Sequence, residues 1–167
     1  PSTGKKEDKD SSSNNNNRQD NKSTLAPGTK ITDQSSKAVY KITGKNTVEY
    51  VKCNVNKNKV SIPQKIMING VSYQVTSIAA KAFKANKKIR SIVIPSTVRK
   101  IGKQAFLNCK NLKKITLKTS YLSKKAIGAK AFKGIHKKAT IKVPKKQKKA
   151  YQKLLKSKGV GKKVKIK

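Results

Sequence analysis

The stretch VRKIGKQAFLNCKNLKKITL, residues 98–117, decides the fold because its pattern recurs along the chain. Its Ala-Phe pair occurs three times, at Ala82-Phe83, Ala105-Phe106 and Ala131-Phe132. Two apolar residues follow each Phe at fixed distances, namely Ile92 and Ile94, Ile115 and Leu117, and Ile141 and Val143. A repeat of roughly 20–30 residues with fixed apolar positions predicts stacked units that bury one shared core.

Each unit is expected to contain four parts. The paired apolar residues predict a short strand, which a turn connects to a second short strand with the pattern Val-x-x-Ile-Gly. One helical turn is expected to begin at Ala-Phe. The interval between the second and third Phe is longer than the first interval, and we expect the extra residues to form a loop at Thr119 to Ser123.

The residues before the repeats predict a β-rich N-terminal cap. Apolar and polar side chains alternate at 38–43 and 47–53, which is typical of strands. Residues 66–68 and 71–75 flank Asn69-Gly70, a strong signal for a two-residue hairpin because both positions accept positive φ.

The residues after the repeats predict a helix and a closing strand. Pro144 suits the first turn of a helix at Lys145 to Ser157, and Gly159 suits its end. Its expected buried face consists of Ala150, Tyr151, Leu154 and Leu155. Val164 and Ile166 indicate a final strand that completes the C-terminal cap.

The unit Val-x-x-Ile-Gly-x-x-Ala-Phe-x-x-Cys-x-x-Leu-x-x-Ile-x-Leu, complete at residues 98–117, resembles the leucine-rich repeats of the BspA-like surface protein family. The resemblance covers about residues 60–146. It implies an α/β fold, a short right-handed leucine-rich-repeat solenoid with the two caps described above. It also implies a secreted or surface-displayed bacterial protein that adheres to host proteins or serves as an accessory region of a larger cell-wall protein.

The composition predicts a boundary near residue 28. Residues 1–24 carry almost no apolar side chain, so we expect 1–28 to be a disordered linker. The domain would then span 29–167. Its parts are the N-terminal cap at 29–74, three repeats at 75–146 and the C-terminal cap at 147–167.

The charge balance is strongly basic. The chain has 43 Lys and Arg residues against 6 Asp and Glu, a formal net charge of +37. The last acidic residue is Glu49, after which 32 Lys and 2 Arg follow without a carboxylate side chain. Such a domain attracts polyanions, and Lys suits diffuse attraction better than base-specific reading. An AT-rich genome also favours Lys over Arg, but it does not explain the scarcity of carboxylates.

Catalytic, metal-binding and cofactor-binding residues are not predicted. General acid–base catalysis usually needs His, Asp or Glu, and the repeats hold one His, His136, and no carboxylate. Two distant cysteines and one histidine make no zinc pattern. A buried thiol at Cys109 is favoured over a disulfide with Cys53, although both stay open. The tyrosines are expected to be packing residues, and no apolar run is long enough to span a membrane.

Two candidate binding surfaces follow from the pattern. Strand neighbours of the buried residues should point outward and form a row, which is either a binding face or a solvated face. These residues are Ser91, Val93, Lys114, Thr116, Thr140 and Lys142. A basic C-terminal region is either a polyanion patch or a solvated face. Its residues are Lys145, Lys146, Lys148, Lys149, Lys153, Lys162 and Lys163.

We therefore expect a non-enzymatic, extracellular binding or adhesion module, secreted or displayed at the cell surface, whose signal would lie upstream of Pro1. Its expected partner is a host extracellular protein or an anionic cell-wall or glycan polymer. It would be a monomer. An alternative is the targeting module of a larger cell-wall enzyme. A nucleic-acid-binding protein is disfavoured because Arg and grouped aromatic residues are scarce.

Overall fold

The computed structural model describes residues 23–54 and 56–167, so most of the linker predicted at 1–28 lies outside the described part. The strands are β1 (Lys30–Thr32), β2 (Ala38–Gly44), β3 (Thr47–Cys53), β4 (Lys59–Ser61), β5 (Lys65–Ile68), β6 (Val71–Ile78), β7 (Ser91–Ile94), β8 (Lys100–Ile101), β9 (Lys114–Leu117), β10 (Thr140–Lys142) and β11 (Lys165–Ile166), and the helix is α1 (Lys148–Ser157). Within these residues no helix has the length and apolar character needed to cross a bilayer.

The first sheet is mixed and joins the N-terminal strands to one side of the repeats. Its order is β1-β2-β3-β6-β5, with β8 paired in parallel to β6. The strands predicted at 38–43 and 47–53 are confirmed as the antiparallel pair β2 and β3. The hairpin predicted at Asn69-Gly70 is confirmed too, since both residues have positive φ (49° and 73°) between β5 and β6.

The second sheet is parallel and takes one strand from each repeat. Its order is β11-β10-β9-β7-β4, so the three repeat strands lie between β4, which precedes them in the sequence, and β11, which follows them. The register places Ile92 beside Ile115, and Ile115 beside Ile141. All three isoleucines are buried, which confirms the inward positions predicted from the repeat.

The Ala-Phe segments are turns, so the predicted helical turn is wrong. Two residues around each Ala-Phe pair have left-handed backbone conformations, with φ between 56° and 76°. They are Lys81 and Ala85, Gln104 and Asn108, and Lys130 and Gly134. Left-handed residues interrupt the i to i−4 hydrogen bonds of a helix. In the first two copies their N–H groups, with that of the intervening Phe, instead donate to the next copy: Phe83 N–H donates to Ala105 O at 2.8 Å, and Phe106 N–H to Ala131 O at 2.8 Å.

One aromatic ring from each unit enters a continuous stack in the core. The centroids of Tyr50 and Phe83 are 5.5 Å apart, those of Phe83 and Phe106 5.2 Å, and those of Phe106 and Phe132 5.4 Å. The planes of successive rings differ by 12° or less, so the rings lie nearly parallel. Tyr40 closes the N-terminal end of the stack edge-on against Tyr50. The recurring Phe is therefore the residue through which neighbouring repeats share a core.

Two glycines allow the backbones of consecutive repeats to touch. A Cβ atom on Gly102 would lie 2.2 Å from the backbone nitrogen of Ala80. One on Gly128 would lie 2.2 Å from the backbone nitrogen of Lys103. The Ile-Gly pair of the second and third copies is thus required by packing between repeats.

The predicted C-terminal helix is confirmed, with a 3-10 turn at Lys145–Gln147 leading into α1. Tyr151 and Leu155 are buried as expected and Leu154 is partly buried, but Ala150 is exposed. The prediction for Ala150 is wrong because the buried stripe of this short helix is narrow, with Tyr151 and Leu155 one turn apart. Gly159 ends the helix with a φ of 101°.

The helix fixes the irregular loop of the repeats through one hydroxyl group. Tyr151 donates its O–H to the carbonyl of Thr119 at 3.0 Å and accepts the N–H of Leu122 at 3.0 Å. Thr119 is itself buried and donates its hydroxyl to Val98 O at 2.6 Å. The extra residues expected at Thr119 to Ser123 therefore form a loop that is held against the stack.

Replacing Gly102 with Ala is expected to destabilise the fold by about 2–3 kcal/mol, because the new methyl group meets backbone that cannot swing aside. Gly161→Ala is the matched control, since a Cβ there meets nothing within 4 Å. Urea denaturation followed by circular dichroism measures both variants. Equal midpoints for the two variants would contradict the close approach at Gly102.

Candidate functional site

The outward side of the second sheet presents two registered rows of side chains, which we call the strand face. The pairing places Lys59, Ser91, Lys114, Thr140 and Lys165 in the first row. It places Ser61, Val93, Thr116 and Lys142 in the second. The six residues proposed from the sequence thus all lie on this face, each exposed or partly exposed.

The first row alternates cation and hydroxyl across all five strands. Neighbouring parallel strands are about 4.8 Å apart, so Lys59, Lys114 and Lys165 follow one another at about 10 Å. Lys59, Ser61 and Lys165 were missed by sequence reasoning because their strands lie outside the three Ala-Phe copies. The Lys-Val-Ser and Lys-Ile patterns of β4 and β11 were the available signal.

The positive charge of the described domain is almost unopposed. Two side-chain carboxylates occur among the described residues, and both lie before residue 50. Glu49 pairs with Lys41 at 2.9 Å, the one ion pair in this part of the chain. Asp33 accepts hydrogen bonds from Ser36 and Ser35, which lower its pKa from 3.8 to about 2. Neither carboxylate therefore neutralises the repeats.

The seven lysines of the proposed C-terminal patch are all exposed. Lys145 and Lys146 belong to the 3-10 turn, and Lys148, Lys149 and Lys153 to α1. The remaining two, Lys162 and Lys163, lie in the turn before β11. The patch is therefore spread over one helical segment and a separate turn.

His136 serves the local turn. Its Nδ1 atom accepts the backbone N–H of Lys138 at 3.1 Å, and the side chain is partly exposed. Across residues 23–54 and 56–167 no three His, Cys, Asp or Glu side chains are grouped as metal ligands would be.

Both cysteines are free thiols, as favoured from the sequence. Cys109 is buried in the core and donates to the carbonyl of Phe83 at 2.8 Å. Burial raises the pKa of the Cys109 thiol from 9.0 to about 11. Cys53 is partly exposed at the end of β3.

The tyrosines are buried packing residues with one exception. Tyr40, Tyr50, Tyr73 and Tyr151 are buried, whereas Tyr121 is 59% exposed, so the packing role predicted for Tyr121 is wrong. Its ring lies in the loop after β9, beneath the guanidinium of Arg99 at 4.2 Å from the ring centroid. This cation–π contact occupies one of the two arginines in the described residues.

Deprotonation of Cys109 is expected to destabilise the fold at alkaline pH. Its folded pKa is raised, so its stabilising contribution is complete below about pH 9 and is lost as the pH rises towards 11. Over that range, the free energy of unfolding of the native chain should fall more steeply than that of Cys109→Ala. The slopes of the two free-energy curves against pH should differ by at most about 1.4 kcal/mol per pH unit.

Urea titrations of both proteins at pH 8, 9, 10 and 11 measure this difference. The Ala variant is the control for the titration of lysines and tyrosines, which is common to both. Parallel pH curves would contradict a buried, protonated Cys109.

Comparison with known proteins relates this chain to one protein family and to two similar solved structures. A family model described as "BspA type Leucine rich repeat region (6 copies)" matches residues 76–166. The structure of a leucine rich cell surface protein from Faecalibacterium prausnitzii A2-165 is similar, with a TM-score of 0.57 and 26% identity over 70% of this chain. This chain spans 37% of the length of that protein.

A second similar structure is a leucine-rich repeat protein from Bacteroides capillosus ATCC 29799. It has a TM-score of 0.56 and 19% identity, and the match covers 83% of this chain and 98% of that one. At this identity the likeness shows the fold alone. No curated protein matches the chain at a significant level.

Proposed function

The chain belongs to the BspA-type leucine-rich-repeat family, and from this premise we propose that it is a non-catalytic binding module, secreted or displayed at a bacterial cell surface. The similar Faecalibacterium prausnitzii structure is described as a leucine rich cell surface protein, which supports this location. The described geometry supports a binding role because exposed side chains are ordered on a rigid sheet.

The module is a short right-handed solenoid in this proposal. Residues 29–74 cap its N-terminal end, 75–146 hold the three repeats, and 147–167 cap its C-terminal end. The strands β4 and β11 support the capped arrangement, because they extend the parallel sheet by one strand beyond the repeats on each side. Aromatic residues of the cap and the repeats also share one stack.

The observation that carries the binding proposal is the unneutralised positive charge. After Glu49 the described residues contain no side-chain carboxylate, so their lysines remain available to an external anion. The proposed ligand is an anionic cell-wall or glycan polymer, or a host extracellular protein with an acidic surface. The strand face would supply the ordered contacts, and the C-terminal lysines would add diffuse attraction. The module acts as a monomer in this proposal.

A second candidate is the targeting module of a larger cell-wall enzyme. This chain covers 37% of the length of the similar Faecalibacterium prausnitzii protein, so such repeats occur within longer chains. The two candidates share the ligand and differ in what the rest of the polypeptide does.

Nucleic acid fits this surface less well than a wall or glycan polymer. Base recognition in single strands relies on exposed aromatic side chains, and Tyr121 is the one tyrosine of the described residues that is exposed. Its ring is already covered by Arg99.

Binding to a polyanion is expected to weaken steeply with salt, because each contact releases a counterion. For five or six contacts the affinity for heparin should fall roughly 100- to 1,000-fold between 50 and 200 mM NaCl. Titrations with heparin, duplex DNA and purified wall polymer, each over a salt series, measure the slopes. A lack of binding to all three at 50 mM NaCl would refute the proposal.

Charge reversal on the strand face is expected to weaken binding more than the same reversal elsewhere. Lys114→Glu with Lys142→Glu alters two exposed residues of the face on adjacent strands. The matched control is Lys124→Glu with Lys125→Glu, two exposed residues in the turn before Ile127. Both double variants have the same net charge, so equal losses of heparin affinity would show that the face itself is not the binding site.

A further inference from the structure

A basic cleft lies at the corner where the turns of the stack lead into the parallel strands. It is open, has a volume of about 810 Å³ and is formed by residues just before β4, β7 and β9 and by the first residue of β4. Its cations are Lys57, Lys59, Lys87, Lys88 and Arg90, and its amide side chains belong to Asn56, Asn58 and Asn111. Five cations and three amides from three consecutive segments thus surround one space that contains no carboxylate.

Hydrogen bonds to backbone carbonyls connect the three segments that form the cleft. Arg90 N–H donates to the carbonyl of Asn58 at 2.7 Å, and Ser91 N–H donates to the same carbonyl at 3.0 Å. The side-chain amide of Asn111 donates to the carbonyl of Lys87 at 2.7 Å. The segment before β4, the turn before β7 and the turn before β9 are therefore held in a fixed relation.

Arg90 distinguishes the cleft from the rest of the lysine-rich surface. The chain has 40 Lys and three Arg, and two of the arginines, Arg90 and Arg99, lie in the described residues. Arg99 covers the ring of Tyr121, whereas Arg90 is exposed in the cleft. Arg90 also takes no part in the one ion pair found among the described residues, which joins Lys41 and Glu49. A guanidinium is a planar fork that holds a phosphate or sulfate through two parallel hydrogen bonds, whereas a lysine offers a point charge.

We propose that the cleft at Arg90 binds clustered tetrahedral oxyanions, that is, two or more phosphate or sulfate groups carried by one saccharide or polyol. Arg90 grips one oxyanion in two places, and the surrounding lysines neutralise its neighbours. The amides of Asn56 and Asn58 supply further N–H donors at the rim. A ligand with a single charge would leave most of the five cations unengaged.

This proposal deepens the proposed function and rests on it, since it names the chemistry of one place on an anion-binding surface. Lys59 belongs to both the cleft and the first row of the strand face. A polymer held at the cleft would therefore continue along that row, over Ser91 and Lys114.

The test uses a substitution that keeps the charge and removes the fork. Arg90→Lys in the full chain should weaken binding of inositol hexakisphosphate or of sucrose octasulfate about tenfold at 150 mM NaCl, because the two-point contact is lost. Arg99→Lys, the matched control, should leave both affinities unchanged. Isothermal titration calorimetry measures the binding, and equal melting temperatures show that the exposed Arg90 has no part in stability.

A pair of neutralised lysines tests the rest of the cleft. Lys87→Gln with Lys88→Gln should weaken binding of the same probe more than Lys124→Gln with Lys125→Gln, which removes equal charge elsewhere. Loss with the phosphate probe alone, or with the sulfate probe alone, supports the cleft and identifies which oxyanion it takes.

Unchanged affinity in Arg90→Lys, or absence of measurable binding of both probes to the native chain, would overturn the cleft. Salt-dependent binding of heparin that persists in such a case would leave the proposed function standing. Absence of binding of heparin, duplex DNA and wall polymer to the native chain at 50 mM NaCl would instead refute that function.

Discussion

The structure depends on the stacking of one aromatic ring per unit. Tyr50, Phe83, Phe106 and Phe132 lie 5.2–5.5 Å apart, close to the spacing of neighbouring strands in a sheet. Successive units are therefore displaced along the stack by about one strand spacing. At the contact between two units this distance leaves room for backbone atoms but not for a side chain. Gly102 and Gly128 meet that constraint directly, since any Cβ there would strike the preceding unit. The left-handed turn residues of the first two copies meet it too, because their N–H groups donate to backbone carbonyls of the next copy.

Because aromatic stacking and backbone hydrogen bonds hold the stack together, its stability does not require ion pairs on the surface. One ion pair joins described side chains, and it lies between β2 and β3, outside the repeats. The lysines after Glu49 therefore have no ion-pair partner among the described residues and repel one another, an effect that salt or a bound polyanion relieves. In the proposed function, stability and anion binding thus depend on different atoms: stability depends on the buried core, and anion binding on exposed amines of an ordered sheet.

The features of the fold that produce a periodic or local sequence pattern could be predicted from the sequence. The features that depend on contacts between units could not. The buried positions Ile92, Ile115 and Ile141 and the Asn69-Gly70 hairpin follow from local pattern and turn chemistry. The turns at Ala-Phe did not, because non-glycine residues such as Lys81 and Gln104 take positive φ there, which residue type does not reveal. Lys59 and Lys165 could not be assigned to the strand face from the sequence, because only the register of strand pairing places them there. The cleft at Arg90 combines segments more than 50 residues apart in the sequence, from Asn56 to Asn111.

The proposed anion site lies where the parallel strands begin, rather than anywhere on a uniformly basic surface. Backbone amide NMR spectra recorded while inositol hexakisphosphate is added at 150 mM NaCl measure this location most directly. The largest shift changes should occur at residues 56–61, 87–93 and 111–116, with small changes along α1 despite its many exposed lysines. Changes spread evenly over the lysines, or concentrated at 145–157, would contradict a site at the start of the strands.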